Sequence, residues 1–130
     1  AKKIIENRPV NKTSELSNII RNSVPRQNPI FVEKSIRRIF QALRIATNNE
    51  LNHLKNFLSS FVDILNPGGR IVVISYHSVE DRIVKHKLKD LKQNDMIKLI
   101  YKKPLTPSDI EIDQNKRARS AKMRVGEKIG

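Results

Sequence analysis

The chain has 130 residues, enough for one ordinary domain with its own core, and its 26 Lys and Arg against 13 Asp and Glu give a formal net charge of +13. The lack of Cys excludes disulfide scaffolds, thiolate zinc sites and cysteine nucleophiles, and the four glycines are too few for a glycine-rich phosphate-binding loop. This charge favours a polyanionic partner, most often nucleic acid, although a Lys-rich genome would produce the same bias. No apolar run is long enough to predict a membrane span.

The positive charge is concentrated towards the two ends of the chain. Residues 1–60 contain 11 basic and 4 acidic side chains, and residues 98–130 contain 9 basic and 4 acidic side chains. Residues 61–97 are nearly neutral, with 6 basic and 5 acidic side chains. This distribution predicts a packed centre with a basic binding surface on either side.

Three helices are predicted in the first half of the chain. The first spans residues 11–23 with Thr13 as its N-cap, and the second spans residues 33–46, where apolar side chains recur at helical spacing. A basic loop, residues 26–28, separates them between two prolines. The third helix is predicted to start at residues 47–50, which resemble a capping box.

Strands are predicted in the second half. Residues 67–69 form a Pro-Gly-Gly turn, and the β-branched run at residues 70–75 predicts a strand that is buried on both faces and has parallel neighbours. Ser78 is the predicted N-cap of a fourth helix, and further strands are expected at residues 96–101 and 121–125. This order of elements is typical of the second half of an α/β sheet whose first half is missing.

The densest cluster of reactive side chains directly follows the buried strand, at the sheet edge where α/β proteins bind ligands. A serine, a histidine and carboxylates could indicate a hydrolase, but no G-x-S-x-G turn accompanies them. A metal site from His77, Glu80 and Asp81 is chemically possible but lacks a standard spacing. The simplest interpretation is that Ser78, Glu80 and Asp81 cap a helix, which is compatible with a substrate role for Tyr76 and His77.

Six sequence blocks follow one another in a recognisable order. They are FQALRI at 40–45, NEL at 49–51, LNPGGR at 65–70, ISYHSVEDRIVK at 74–85, KPLTPS at 103–108 and RARSAKMRV at 117–125. In this combination the chain resembles, over nearly its whole length, the carboxyl-terminal part of the ribosomal RNA small subunit methyltransferase H family (RsmH, also called MraW). Residues 34–39, KSIRRI, depart from the family's H-P-A-T-R-T segment and match it only at Arg38.

The resemblance implies an α/β fold, the carboxyl-terminal part of a Rossmann-like S-adenosylmethionine-dependent methyltransferase preceded by the end of an inserted helical domain. Residues 1–48 would be the end of that insertion on the RNA-substrate side. Residues 49–130 would be the carboxyl-terminal part of the methyltransferase domain, with residues 70–75 as its fifth strand and two last, antiparallel strands after it.

The resemblance also implies an activity and its partners. The enzyme would be cytoplasmic and would methylate the 4-amino group of a cytidine in bacterial small-subunit ribosomal RNA, free or in the small ribosomal subunit. S-adenosyl-L-methionine would be bound mainly by the missing amino-terminal half of the same enzyme, so this chain alone is expected to be inactive and to contain no cofactor or metal ligand. The alternative is a non-enzymatic RNA-binding module without the cofactor-binding half.

Two groups of site residues are predicted on this basis. Tyr76, His77 and Ser78 would line the base pocket, where Tyr76 and His77 stack on or hydrogen-bond the cytosine; otherwise they only pack around it. Phosphate contacts are predicted for seven residues, whose alternative role is an ordinary solvated surface: Arg38, Gln41, Arg44, Arg117, Arg119, Lys122 and Arg124.

Overall fold

The computed structural model describes residues 1–25 and 28–130, so Arg26 and Gln27 of the predicted basic loop lie outside the described residues. The chain divides into two compact units, Ala1–Glu50 and Leu51–Gly130. None of the helices in these described ranges is both long and apolar enough to cross a membrane.

The first unit is helical. Its described residues form α1 (Lys2–Glu6), α2 (Thr13–Ser23) and α3 (Pro29–Asn48). The periodic apolar side chains of α2 and α3 meet in a small core of buried residues, namely Ile20, Val32 and Ile36. The helices at 11–23 and 33–46 are therefore confirmed, whereas α1 was not predicted.

The start of α2 differs from the prediction that Thr13 is its N-cap. Lys12 holds that position and Thr13 is the first helical residue. The Glu15 carboxylate accepts hydrogen bonds from the backbone N–H groups of Asn11 (3.0 Å) and Lys12 (3.3 Å). An acidic side chain three residues into the helix thus satisfies amides at the helix start.

Helix α3 is longer than predicted at both ends. The Asn28 side chain accepts a hydrogen bond from the backbone N–H of Ile30 (2.9 Å), and Pro29 occupies the first helical position. At the other end, Asn49 has a left-handed backbone (φ 54°), a conformation common after a helix. The next helix begins directly at Glu50, which confirms the third predicted helix. The predicted capping box is wrong, because Thr47 still belongs to α3.

The second unit contains helices and a three-stranded sheet. Its elements, in chain order, are α4 (Glu50–Ile64, of which the first residue belongs to the first unit), β1 (Arg70–Ser75), α5 (Ser78–Gln93), β2 (Ile97–Leu99), α6 (Asp109–Gln114), a 3₁₀ helix (Lys116–Ser120) and β3 (Lys122–Lys128). The strand order is β1-β3-β2, and both pairings are antiparallel. The three predicted strands are confirmed, with β2 shorter and β3 longer than expected.

The two faces of β1 are unequal. Ile71 and Ser75 are buried, whereas Val72 and Ile74 on the opposite face are 56% and 53% exposed. The core of this unit joins β1 and β2 to α4 and α5 in one cluster of buried residues, namely Leu58, Phe61, Val62, Ile71, Val84, Leu88, Leu91 and Ile97. The prediction that β1 is buried on both faces between parallel neighbours is therefore wrong for this chain, because this core covers one face and β3 is antiparallel.

The end of α4 is tied to β3 by one lysine. The Lys128 ammonium group donates hydrogen bonds to the backbone carbonyls of Val62 (2.8 Å) and Leu65 (2.7 Å). These carbonyls lie at the helix end, where backbone acceptors lack partners within the helix and where positive charge is favourable. This contact anchors α4 to the sheet and so helps to position β1.

Candidate functional site

The turn from β1 into α5 is built around His77. This residue is the N-cap of α5, and its Nδ1 accepts a hydrogen bond from the backbone N–H of Glu80 (3.3 Å). The Glu80 carboxylate in turn accepts a hydrogen bond from the backbone N–H of Tyr76 (3.3 Å). The two side chains therefore hold the turn in place from opposite sides, in the manner of a capping box.

This arrangement corrects the prediction for Ser78, which is the first residue of α5 and not its N-cap. The imidazole of His77 occupies the capping position that sequence analysis assigned to the serine hydroxyl. A histidine is absent from the usual list of N-cap residues, so only the structure identifies this role.

The hydrogen bond at Nδ1 also limits what His77 can do chemically. Because Nδ1 accepts a hydrogen bond from the backbone N–H of Glu80, a neutral ring carries its own hydrogen at Nε2. Nε2 lies 3.0 Å from Oε1 of Glu80 without an aligned hydrogen bond, and the side chain is 13% exposed. His77 thus offers no free basic nitrogen here, whereas its neighbour Tyr76 is 56% exposed.

A second interaction fixes the first turn of α5 to the sheet. The Asp81 carboxylate is 11% exposed and accepts two hydrogen bonds from the Arg124 guanidinium, at 2.8 and 3.2 Å. Lys122, two residues earlier on β3, lies 3.6 Å from the same carboxylate. The hydrogen bond from Arg124 is the main reason that the pKa of Asp81 lies below its ordinary value, and it outweighs the opposing effect of burial.

A similar group of charges crosses the sheet at the other end of the strands. Glu127 on the central strand pairs with Arg70 on β1 at 2.7 Å and with Lys98 on β2. Hydrogen bonds from Lys98 and then from Arg70 lower the pKa of the Glu127 carboxyl group. This group joins all three strands through one carboxylate.

The predicted phosphate contacts fall into two groups in the structure. Arg44 pairs through its guanidinium with Glu50 (2.9 Å), and Lys122 and Arg124 are engaged with Asp81. Gln41 is half-buried on α3. Three exposed arginines have no ion-pair partner among the described residues, namely Arg38, Arg117 and Arg119. These three are the predicted residues whose charges are free for an anionic ligand.

The glycines of this chain do not form a cofactor cradle. Gly68 and Gly69 form the turn before β1, and Gly126 lies inside β3 beneath core side chains. A nucleoside cofactor with an amino-acid side chain needs close backbone approach, usually at a glycine-rich loop. The residues described here therefore do not fit such a cofactor by themselves.

The two carboxyl groups with lowered pKa values, Asp81 and Glu127, predict how the stability of the fold depends on pH. The folded pKa values of Asp81 and Glu127 lie below their ordinary values of 3.8 and 4.5, so both carboxylates stabilise the fold fully above those values. Their contribution is lost as the pH falls through the lowered values, so we expect the free energy of unfolding to drop steeply below about pH 4. Chemical denaturation between pH 7 and 3 measures this loss.

The matched variant for this prediction is the double change Asp81→Asn and Glu127→Gln, which removes both titrating groups. It should be less stable at pH 7 and lose less stability on acidification than the parent chain. An equally steep acid loss in both proteins would contradict the assignment.

Comparisons with known proteins place this chain in a family by its sequence. The model of the MraW methylase family matches residues 1–129, and the chain belongs to this family. Among curated relatives, the "Ribosomal RNA small subunit methyltransferase H" of Synechococcus elongatus is 48% identical over 99% of this chain, and that of Pseudothermotoga lettingae is 46% identical over 98%. The chain spans 43% of the length of each of these relatives.

Proposed function

We propose that this chain is the carboxyl-terminal, substrate-side part of a methyltransferase that acts on the 4-amino group of a cytidine in small-subunit ribosomal RNA. The observation that carries the proposal is the 48% identity, along almost the whole chain, to a protein named for methylation of that RNA. In this proposal the amino-terminal part of the enzyme supplies most of the Rossmann-like sheet and binds S-adenosylmethionine, which provides the methyl group.

Methylation of a cytosine amino group depends more on how the base is positioned than on a strong acid or base in the site. The lone pair of a cytosine amino group is delocalised into the ring, so the amine must be held in line with the methyl donor while a proton leaves it. A base in folded RNA must also be exposed before it reaches a pocket. The exposed ring of Tyr76, held on a rigid turn by Glu80, suits stacking on such a base.

His77 has a supporting role in this proposal. Its ring caps α5 and thereby sets the position of Tyr76, in place of the direct base contact expected from sequence. Ser78 follows on the first turn of α5. Phosphate contacts are assigned to the three unpaired arginines, because Arg44, Lys122 and Arg124 already neutralise carboxylates of this chain.

A chimera tests the proposal. The matching segment of the Synechococcus elongatus relative is replaced by this chain, and transfer of a labelled methyl group from S-adenosylmethionine to small ribosomal subunits is measured. We expect label on the 4-amino group of one cytidine, identified by mass spectrometry of digested RNA. Tyr76→Ala should lower turnover at saturating RNA and leave the salt dependence of binding unchanged, since it removes no phosphate contact.

The arginine variants should behave in the opposite way. Arg38→Gln, Arg117→Gln and Arg119→Gln are each expected to flatten the plot of log affinity against log salt by about 0.7 to 0.9. Lys55→Gln, an exposed charge on α4, is the matched control and should leave the slope unchanged. A chimera that binds ribosomal RNA with normal affinity but transfers no methyl group would favour the non-enzymatic RNA-binding alternative.

A further inference from the structure

A cleft lies between α5 and the segment that follows β2. Its floor is apolar, and its rim has one aromatic ring and three lysines. Its lining, apart from Arg124, consists of Leu88, Leu99 and Val125 on the floor, Tyr101 on the rim, and the cleft lysines Lys85, Lys89 and Lys102. The enclosed volume is about 120 Å³, small beside the roughly 300–1,000 Å³ of pockets that enclose a whole cofactor or drug-sized ligand.

The charge of this cleft is not neutralised by the chain. The cleft lysines are exposed, and none of them has an ion-pair partner within the ranges that the structure describes. Nearby acids are already engaged, since Asp81 binds Arg124 and Asp90 lies 3.7 Å from Lys87. Arg124, which also lines the cleft, is therefore already paired with a carboxylate. The cleft lysines provide the available positive charge.

The arrangement matches the chemistry that proteins use for single-stranded nucleic acid. Such sites combine a positive groove along the backbone with aromatic rings on which bases stack. Tyr101 is 46% exposed, so its ring is accessible beside the lysines. Lys85 and Lys89 lie one helical turn apart on α5, about 6 Å along its axis, so they form a short row of charge.

We propose that this cleft binds a single-stranded segment of RNA, with one base stacked on Tyr101 and the adjoining phosphates bound by the cleft lysines. The proposal rests on the proposed function and extends it, because it assigns a second contact to the RNA substrate outside the Tyr76 turn and the unpaired arginines. The α5 part of the cleft lies in the segment that is nearly neutral overall, so net charge along the sequence does not reveal it.

The two tyrosines allow a direct test, because the chain contains no Trp. The variant Tyr76→Phe leaves Tyr101 as its only tyrosine. Titration of this 130-residue variant with a single-stranded RNA hexamer should quench the Tyr101 fluorescence, since a stacked base quenches the ring. An abasic hexamer of equal charge should bind more weakly and leave the fluorescence unchanged.

Variants then separate stacking from charge. Tyr101→Ser should weaken hexamer binding by about 5- to 150-fold, and Tyr101→Phe, which keeps the ring, should bind like the parent chain. Each of Lys85→Gln, Lys89→Gln and Lys102→Gln should reduce the slope of log affinity against log salt by about 0.7, whereas Lys55→Gln should not. Circular dichroism and thermal melting of each variant check that the fold is retained.

Several outcomes would overturn the proposal. Unchanged Tyr101 fluorescence on RNA binding, or unaltered affinity of Tyr101→Ser, would exclude base stacking. Equal displacement of the hexamer by polyglutamate, through the same lysines, would indicate an acidic protein partner instead. If the chimera still methylates ribosomal RNA while the cleft variants bind RNA like the parent, the cleft proposal is wrong and the proposed function stands. If the chimera transfers no methyl group, the proposed function is wrong whatever the cleft variants show.

Discussion

Replacing Arg124 by methionine is expected to lower the free energy of unfolding by about 2–3 kcal/mol, because it leaves the Asp81 carboxylate without its main partner in a largely buried position. Methionine retains most of the aliphatic packing of the arginine stem, so the loss reports on the charge and its two hydrogen bonds. Urea denaturation at pH 7 measures the change. The first turn of α5 should also lose protection from amide hydrogen exchange, since this pair ties it to β3.

A double-mutant cycle isolates this interaction. Asp81→Asn alone should be strongly destabilising, and adding it to Arg124→Met should cost much less than the sum of the two single changes. Lys122→Met is the matched control, because its ammonium lies 3.6 Å from the carboxylate and is 44% exposed, so its removal should cost under about 1 kcal/mol. Additive effects of Asp81 and Arg124 would show that the two side chains act separately.

Replacing Gly126 by valine is expected to destabilise the second unit by about 2–3 kcal/mol through overpacking. A Cβ atom at this position would lie 3.1 Å from Cδ1 of Ile97 and 3.4 Å from Cγ2 of Ile71. Both neighbours are buried in the main core, so they have little room to move, and Leu88 of α5 lies directly beyond them at 3.8 Å. The glycine thus allows α5 to pack closely on the central strand.

Gly130→Val is the control for this change. Its nearest neighbour would be Cβ of Pro67 at 3.8 Å, an ordinary contact, so the expected change is within about 0.5 kcal/mol. Gly126→Ala should fall between the two valine variants. Equal stability of Gly126→Val and the parent chain would mean that α5 shifts away from the sheet at little cost.

The candidate site was only partly predictable from sequence. The cluster after β1 was found because chemically active side chains follow a β-branched run, and its place at the carboxyl end of the strand was confirmed. The individual roles were not, since His77 caps α5 where Ser78 was expected to do so. Asp81 was interpreted as a helix-capping residue because its partner Arg124 lies 43 positions away, and no local pattern indicates that pairing.

The predicted RNA contacts illustrate the same limit. Charge counts identify Arg44, Arg117 and Arg124 equally as basic residues, but they do not show which cations already have a carboxylate partner. Arg44 and Arg124 are paired within the chain, and Arg117 is exposed without such a partner in the part that the structure describes. The function of each arginine therefore depends on contacts that form only on folding.

Sequence alone determined the family and most of the helices and strands, because these depend on neighbouring residues and on short-range periodicity. The predicted alternation of β3 is wrong, since Val125, Gly126 and Glu127 are buried in succession. Tertiary structure decided which face of β1 is covered, which residue caps α5 and which basic side chains are neutralised. It also brought Tyr101 beside Lys85 and Lys89, which lie 12 or more positions away in the sequence. These properties arise from packing between segments that are distant in the sequence. Whether a side chain is buried or its charge is paired depends on the residues that contact it in the folded chain, and not on its own type.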